Sequence, residues 1–430
     1  MAGHSWEHFL FLTLAGEAVS MTIVDKQPTT TRALQRVEGL RDAIVAGGNE
    51  AQLLRRLPQD CVDQLIDAGM FRFTLPVELG GENASSVDTI EVIEALSAID
   101  GSVGWNVMLG SEINAMAAGG MAPDLALEVY IDNPRVVMCG GGGPGTKPSK
   151  AIQLADGSYR VWAQATFISG CHNAEWCFMA APVFDGDNLR LTPEGQPVVK
   201  MFFLNRTEWE PLDTWDMGGL RGSGSHDVAT NGGHVPARFA DVGLVTYPPR
   251  FDNPVFRIPV PLRLAYNKAA VALGVAKGAL DAFADLAANK TPLMSTSLLR
   301  DRPVAQQRMG EATAMYRSAR AYLMDTMTAV EDELHAGADY PGATTTQDAR
   351  LACTHAANSC MHAVDLIHNA AGTTALRMDS PLERKLRDAH GCATHRWVSH
   401  PLYGEIGKIL LGHEPSSEFD GSPTQSPRPR

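Results

Sequence analysis

The order of periodicities along the chain predicts an α+β fold: an N-terminal helical domain, a central antiparallel β-barrel and a C-terminal four-helix bundle. Three observations predict it. Apolar residues recur at helical spacing from Thr31 to Ala118. Short apolar, β-branched and aromatic segments separated by turns run from Ala151 to about Val242. Long helical stretches return from about Pro261. The expected divisions are an extension over 1–30, helices over 31–140, the barrel over 141–250, the bundle over 251–413 and a disordered tail over 414–430.

Each part rests on particular residues. Leu54, Leu57, Val62, Leu65 and Ile66 spread over one buried face between Leu53 and Met70, with a break at Pro58. Ile90, Val92, Ile93 and Leu96 do the same between Val87 and Ile99. The run from Cys139 to Gly145 holds five glycines and marks a connection. It lacks the Gly-Lys-Ser/Thr ending of a phosphate-binding loop. In the stretch from Leu264 to Ala288, Gly274 and Gly278 leave room for a neighbouring helix. A helix over Thr346 to Ala371 ends at Gly372, a C-cap residue. Ser380-Pro-Leu-Glu383 reads as a capping box with proline at the first helical position. The tail from Pro415 is rich in serine and proline and is expected to be disordered.

Composition narrows the function. The chain has 430 residues, 44% hydrophobic and 20% charged, which suits a globular enzyme of two or three parts. A net charge of -13 argues against a nucleic-acid partner. No apolar run reaches the ~18 residues of a membrane-spanning helix. Seven scattered cysteines form no Cys-x-x-Cys pair, so neither a metal site nor a disulfide framework is expected, and free thiols point to the cytoplasm. Trp6 to Leu14 is apolar but no basic residue precedes it, which argues against a signal peptide; Met21 is the expected natural start in place of Met1.

Four stretches resemble the acyl-CoA dehydrogenase superfamily, in its order: Leu75-Pro-Val-Glu-Leu-Gly-Gly81, Phe167-Ile-Ser-Gly-Cys-His-Asn-Ala-Glu-Trp176, the segment Asp213 to Val228, and Ala371-Gly372 followed by Ser380 to Asp388. The resemblance spans roughly residues 35 to 412. It implies a flavin held between barrel and bundle, and a homo-oligomer, most often a homotetramer. In many such dehydrogenases a glutamate shortly after the last motif removes a proton beside a thioester. Here that place falls on Arg396 or its neighbours, and a guanidinium stays protonated.

The sequence Arg387-Asp-Ala-His-Gly-Cys-Ala-Thr-His395 instead resembles the two-component flavin monooxygenases of the superfamily. That resemblance implies reduced FMN or FAD supplied by a separate NAD(P)H:flavin reductase, oxygen, and a flavin C4a-hydroperoxide that oxygenates a small aromatic or heteroatom-bearing substrate. His395 matches the histidine beside the hydroperoxide, with a pKa expected near working pH. Ser169 is the second catalytic candidate. The cofactor is expected at Ser169, Gly170, Trp176, Arg221, Ser223, Arg300 and Gly372, and substrate at His390 and Gly391.

Alternatives remain at several of these positions. His395 and His390 compete on one predicted helix. There helical spacing aligns Arg384, Asp388 or Arg387, Gly391 and His395, with Gly391 leaving open space. Ser169 could be a buried strand serine, Trp176 a core residue and Arg221 a structural arginine bonding carbonyls. Gln164 and Ala165 depart from the monooxygenase pattern, which usually has an aromatic residue two positions before Phe167. Two other functions stay open: an acyl-CoA dehydrogenase with a displaced glutamate, and a non-catalytic flavin-binding scaffold.

Overall fold

The structure is a computed structural model that describes residues 32–141, 143–145, 147–240, 242, 249–251 and 253–414. The expected extension over 1–30 and the tail beyond 414 lie outside the described residues.

Six α-helices open the chain: α1 (Arg32–Gly39), α2 (Arg41–Leu54), α3 (Gln59–Asp67), α4 (Ser86–Ile99), α5 (Gly101–Gly120) and α6 (Pro123–Ile131). Val62 and Leu65 are buried as the spacing predicts, but Leu54 is exposed. The reason is local: α2 stops at Leu54, and Arg55 takes a left-handed φ of 57° ahead of Pro58. Ile90, Val92, Ile93 and Leu96 of α4 are all fully buried. A capping box does form here, between Ser85 and Asp88, with Ser85 Oγ accepting from Asp88 N at 3.1 Å. Asp100 then ends α4 and starts α5, its Oδ1 accepting from Ser102 N and Val103 N.

Nine strands follow: β1 (Met138–Gly140), β2 (Gly143–Pro144), β3 (Lys150–Gln153), β4 (Tyr159–Ile168), β5 (Trp176–Asp185), β6 (Asn188–Leu189), β7 (Val199–Asn205), β8 (Glu210–Leu212) and β9 (His226–Val235). The order β1-β5-β3-β4-β9-β8 makes one curled sheet. It is mixed rather than antiparallel throughout, because β5 pairs in parallel with both β1 and β3. Nor is the glycine run only a connection. Its first residues enter the sheet as β1 and its later ones as β2 against β4. Gly140 has a φ of 147°, and a Cβ there would strike the Phe178 ring, so only glycine lets β1 lie so close.

Five helices close the chain: α7 (Val260–Asn289), α8 (Pro303–His335), α9 (Ala343–Ala371), α10 (Pro381–Ala393) and α11 (Leu402–Leu410). Gly274 and Gly278 lie directly against the Glu94 and Ala98 carbonyls of α4, as the small-residue spacing predicts. Gly372 caps α9 with a φ of 65°. Pro381 opens α10, but Ser380 makes no side-chain cap. Glu383 instead binds Arg387 Nε at 2.6 Å, one turn along, so the expected capping box is replaced by an ion pair.

Two hydrophobic cores result. One runs through α1 to α5 and α7 to α10, so the N-terminal helices and the bundle share it. The other joins the end of α5, α6 and the sheet. Helix α5 belongs to both and is buried along nearly its whole length. It therefore fixes the sheet against the bundle, where the site lies.

Candidate active site

The sheet contributes a row of hydroxyls. Beyond β4 the chain turns at Gly170, whose φ is 68° and whose N–H donates to Ser223 O at 2.9 Å. Ser169 Oγ accepts from Trp105 Nε1 of α5 at 3.0 Å and shares a hydrogen bond with Ser225 Oγ at 2.7 Å. Ser225 Oγ in turn meets Ser223 Oγ at 2.6 Å. All three serines are buried. The loop that carries two of them is held on two sides. Gly222 N donates to Ser102 Oγ of α5 at 3.1 Å, and Leu220 N to Asp388 Oδ1 of α10 at 2.6 Å.

The bundle contributes His395. It does not sit on a helix: α10 stops at Ala393, and His395 N donates to Cys392 O in the turn beyond. The stripe expected along one helix therefore breaks before it. The ring meets Trp105 edge-on, with centroids 5.5 Å apart and planes at 65°. Trp397 N donates to His395 Nδ1 at 3.4 Å, a long bond that assigns the ring proton to Nε2. Burial, with Lys268 and Arg396 adding positive charge nearby, pushes the imidazole pKa down to about 3. The expectation of a pKa near working pH is thus corrected: His395 is neutral there. Trp105 therefore touches both halves of the site, the hydroxyl row through Nε1 and His395 through its ring.

The remaining predicted residues lie elsewhere. Arg221 Nε donates to Gln52 O at 2.8 Å and Nη1 to Asp216 at 2.6 Å, which ties the serine loop to α2. Trp176 stacks on Phe239 at 4.5 Å within the second core. His390 is exposed and pairs with Asp365 at 2.9 Å, away from Trp105. Gly391 faces Leu220 and Gly219 at ordinary contact distance rather than open space. Gly372 and Arg300 are exposed, Gly372 at the end of α9 and Arg300 just before α8. Ala165 and Gln164 lie beside the glycine run in the sheet, with Ala165 paired to Pro144 and Gly145 N donating to Gln164 O.

Sequence reasoning missed Trp105, Asn106 and Phe167. Asn106 Nδ2 donates to Gly222 O at 3.3 Å. Phe167 is 59% exposed at a φ of 60° and meets Trp215 edge-on at 6.3 Å. A left-handed conformation costs a bulky residue roughly 1–2 kcal/mol. An exposed ring in this strained conformation, two residues before Ser169, makes Phe167 a candidate wall of the site. Flat aromatic faces, buried hydroxyls and a neutral imidazole together fit a flavin ring. A tryptophan and an asparagine within a helix of small residues were the available signals for the first two.

Residues 40–121 match the acyl-CoA dehydrogenase N-terminal domain and residues 266–400 the C-terminal domain. The chain is 29% identical over 382 residues to the indole-3-acetate monooxygenase of Acinetobacter baumannii, spanning 88% of this chain and 93% of that one. It is 26% identical over 417 residues to the oxygenase component of the FADH(2)-dependent resorcinol hydroxylase of a Rhizobium species, spanning 91% and 98%. The crystal structure of 3-HSA hydroxylase from Rhodococcus sp. RHA1 shares the fold, with a TM-score of 0.79 at 24% identity over 91% of this chain and 99% of that one. No described helix is long and apolar enough to cross a membrane. The chain belongs to the acyl-CoA dehydrogenase family, in its branch of two-component flavin monooxygenases.

Proposed function

We propose that the protein is the oxygenase component of a reductase-dependent flavin monooxygenase acting on a small aromatic or heteroatom-bearing molecule. The observation that carries this reading is the neutral, buried His395 packed on Trp105, whose indole N–H reaches Ser169. Bound reduced FMN or FAD would supply the two electrons that activate oxygen. One oxygen atom would go to the substrate and the other would leave as water, with a separate NAD(P)H:flavin reductase as the source of reduced flavin.

The chain's own residues then have distinct tasks. His395 offers an Nε2–H to a developing oxygen anion without bringing a charge of its own. Trp105 sets the imidazole's position and shields it from water. Ser169, backed by Ser225 and Ser223, presents a hydroxyl whose orientation the row fixes. Ser169 and Gly170 would hold the ring edge of the flavin. Arg300 suits a contact with the flavin tail across a subunit interface, because Leu293, Met294 and Val304 around it are largely exposed. An oligomer interface would cover that patch, and we propose a homotetramer.

The dehydrogenase reading finds less support. Glu112, a buried carboxylate of α5, has both oxygens engaged, with Lys268 at 2.6 Å and Asn267 at 2.8 Å, so it does not stand open to a substrate, although burial raises its pKa. Anaerobic titration with FMN and FAD, each oxidised and reduced, tests the choice. The proposal expects reduced flavin to bind at least about 10-fold more tightly, about 1.4 kcal/mol. Tight oxidised FAD bleached by an acyl-CoA would replace it with a dehydrogenase. Binding of neither form would leave a scaffold.

A further inference from the structure

We propose that Asp388 is a positioning residue for oxygen transfer, the group through which helix α10, with His395 beyond it, is held in register with the serine row. The proposal rests on the monooxygenase reading for what the row does, and on Asp388 for how the row is held.

Asp388 is fully buried where three elements meet. It stands on α10, two turns ahead of His395. Its Oδ1 accepts from Leu220 N at 2.6 Å. Leu220 has a left-handed φ of 50°, and its carbonyl accepts from Ser223 N at 2.9 Å. The bond to Asp388 therefore fixes the turn that delivers Ser223 and Ser225. Next to it, Arg387 Nη1 donates to Gly218 O. A Cβ on Gly219 would fall 2.1 Å from Arg387 O, so helix and loop meet backbone to backbone. The third element is α5. A Cβ on Gly101, in its first turn, would lie 2.8 Å from Asp388 Oδ2, and Trp105 follows one turn later.

Asp388 Oδ2 is buried without a hydrogen-bond partner. Such an oxygen is costly to ionise unless opposite charge closes on it. The charges around it face elsewhere. On α10, Lys385 Nζ donates to the Ser97, Ala98 and Ile99 carbonyls, Arg384 pairs with Asp100 at 2.9 Å and Arg387 pairs with Glu383 at 2.6 Å. Between α4 and α5 lies Asp100, a second buried carboxylate. Cys392 is a thiol that burial keeps protonated. Burial first, and the charge of Asp100 second, raise the Asp388 pKa to about 6, against the Leu220 N–H, Lys385 and Arg387. Asp388 is therefore ionised at neutral pH and takes up a proton just below it. That proton goes to Oδ2, because Oδ1 holds the Leu220 N–H. A bond to an ionised acceptor is roughly twice as strong as one to a neutral acceptor, so protonation loosens the turn. Two other ties of the loop, Gly222 N to Ser102 Oγ and Gly170 N to Ser223 O, join groups that do not titrate in this range.

Hydrogen exchange of the segment 218–225, in the protein without flavin, reads the tie directly. Corrected for the intrinsic pH dependence of exchange, the native protein is expected to lose about 10-fold of its protection there between about pH 7.5 and about pH 5. Asp388→Asn keeps the acceptor and the shape but not the charge, so its segment should be loosened at both ends of the range, with no step. The second readout mixes the protein, loaded with reduced flavin, with oxygen. Return of the oxidised-flavin absorbance should quicken by about 3- to 10-fold over the same range in the native protein and be fast throughout in Asp388→Asn. Native exchange without a step overturns the proposal and needs no variant. A step that persists in Asp388→Asn overturns it too, since another group would own the proton. So does an exchange step with a flavin oxidation whose pH dependence both proteins share, which would leave Asp388 a part of the fold alone. Oxidation at the free-flavin rate in the native protein at neutral pH would sink the monooxygenase reading and this proposal with it. An intact exchange step would separate that failure from one at Asp388.

Discussion

Two buried cations, Lys385 on α10 and Arg263 on α7, stand in opposite circumstances. Lys385 Nζ donates to Ser97 O, Ala98 O and Ile99 O at 2.9, 2.8 and 3.2 Å, so all its donors meet the open carbonyl end of α4. Arg263 has no protein partner among the described residues. The histidines divide likewise. His226 Nδ1 accepts from both Thr214 N and Trp215 N, whereas His395 Nδ1 has one long bond and its Nε2 has no hydrogen bond among the described residues. Saturated polar groups hold this fold, and under the proposed function the unsaturated His395 Nε2 is the group that serves the ligand.

The comparison breaks most easily at its saturated side. Lys385→Met leaves carbonyls and nearby carboxylates buried without their cation and should cost about 3–5 kcal/mol of unfolding free energy in a denaturant titration. A loss below about 1 kcal/mol would mean that saturation does not mark structural groups. His395→Ala should do the reverse. Thermal unfolding stays near native, while product formed per reduced flavin falls about 100-fold, near 2.7 kcal/mol of barrier. Native coupling in that variant would remove His395 from the chemistry.

Smaller effects sharpen the contrast. Gly278→Ala puts a methyl group on the Ala98 carbonyl and should cost about 1–3 kcal/mol of stability by overpacking. Ser225→Ala removes the middle of the hydroxyl row and should lower oxygen transfer by about 1 kcal/mol, one hydrogen bond. The pH effect is smallest. Burial lowers the His395 pKa to about 3, so between that value and the ordinary imidazole range the unfolded chain binds the extra proton. Stability should therefore rise with pH through that window and level off above it. His395→Gln should make the acid limb shallower, by no more than about 1.4 kcal/mol per pH unit. An identical limb in the variant would show that His395 is not buried neutral.

What the sequence made legible follows from the range of the forces involved. Ile90, Val92, Ile93 and Leu96 announce the buried face of α4 because helical period is local. Gly274, Gly278 and Gly372 could be read because glycine's conformational and steric freedom is a property of one residue. Ser380 and Glu383 show where local signals mislead: the glutamate has a better partner in Arg387. The parallel pairing of β1 with β5 joins residues nearly forty apart, which no periodicity encodes. His395 was legible by resemblance to the family, but not its neutrality, which comes from burial beside Lys268. Arg263 carried no local sign, since a lone buried charge is defined by the partners that other helices fail to supply.

On the proposed function, this chain directs oxygen through a reduced flavin held at His395 and Ser169. Rapid mixing of the anaerobic protein, loaded with chemically reduced flavin, against oxygenated buffer tests it most directly. The expected result is an absorbing species distinct from both reduced and oxidised flavin, long-lived in the native protein and short-lived in His395→Ala. Single-step oxidation at the rate of free flavin in the native protein would contradict it.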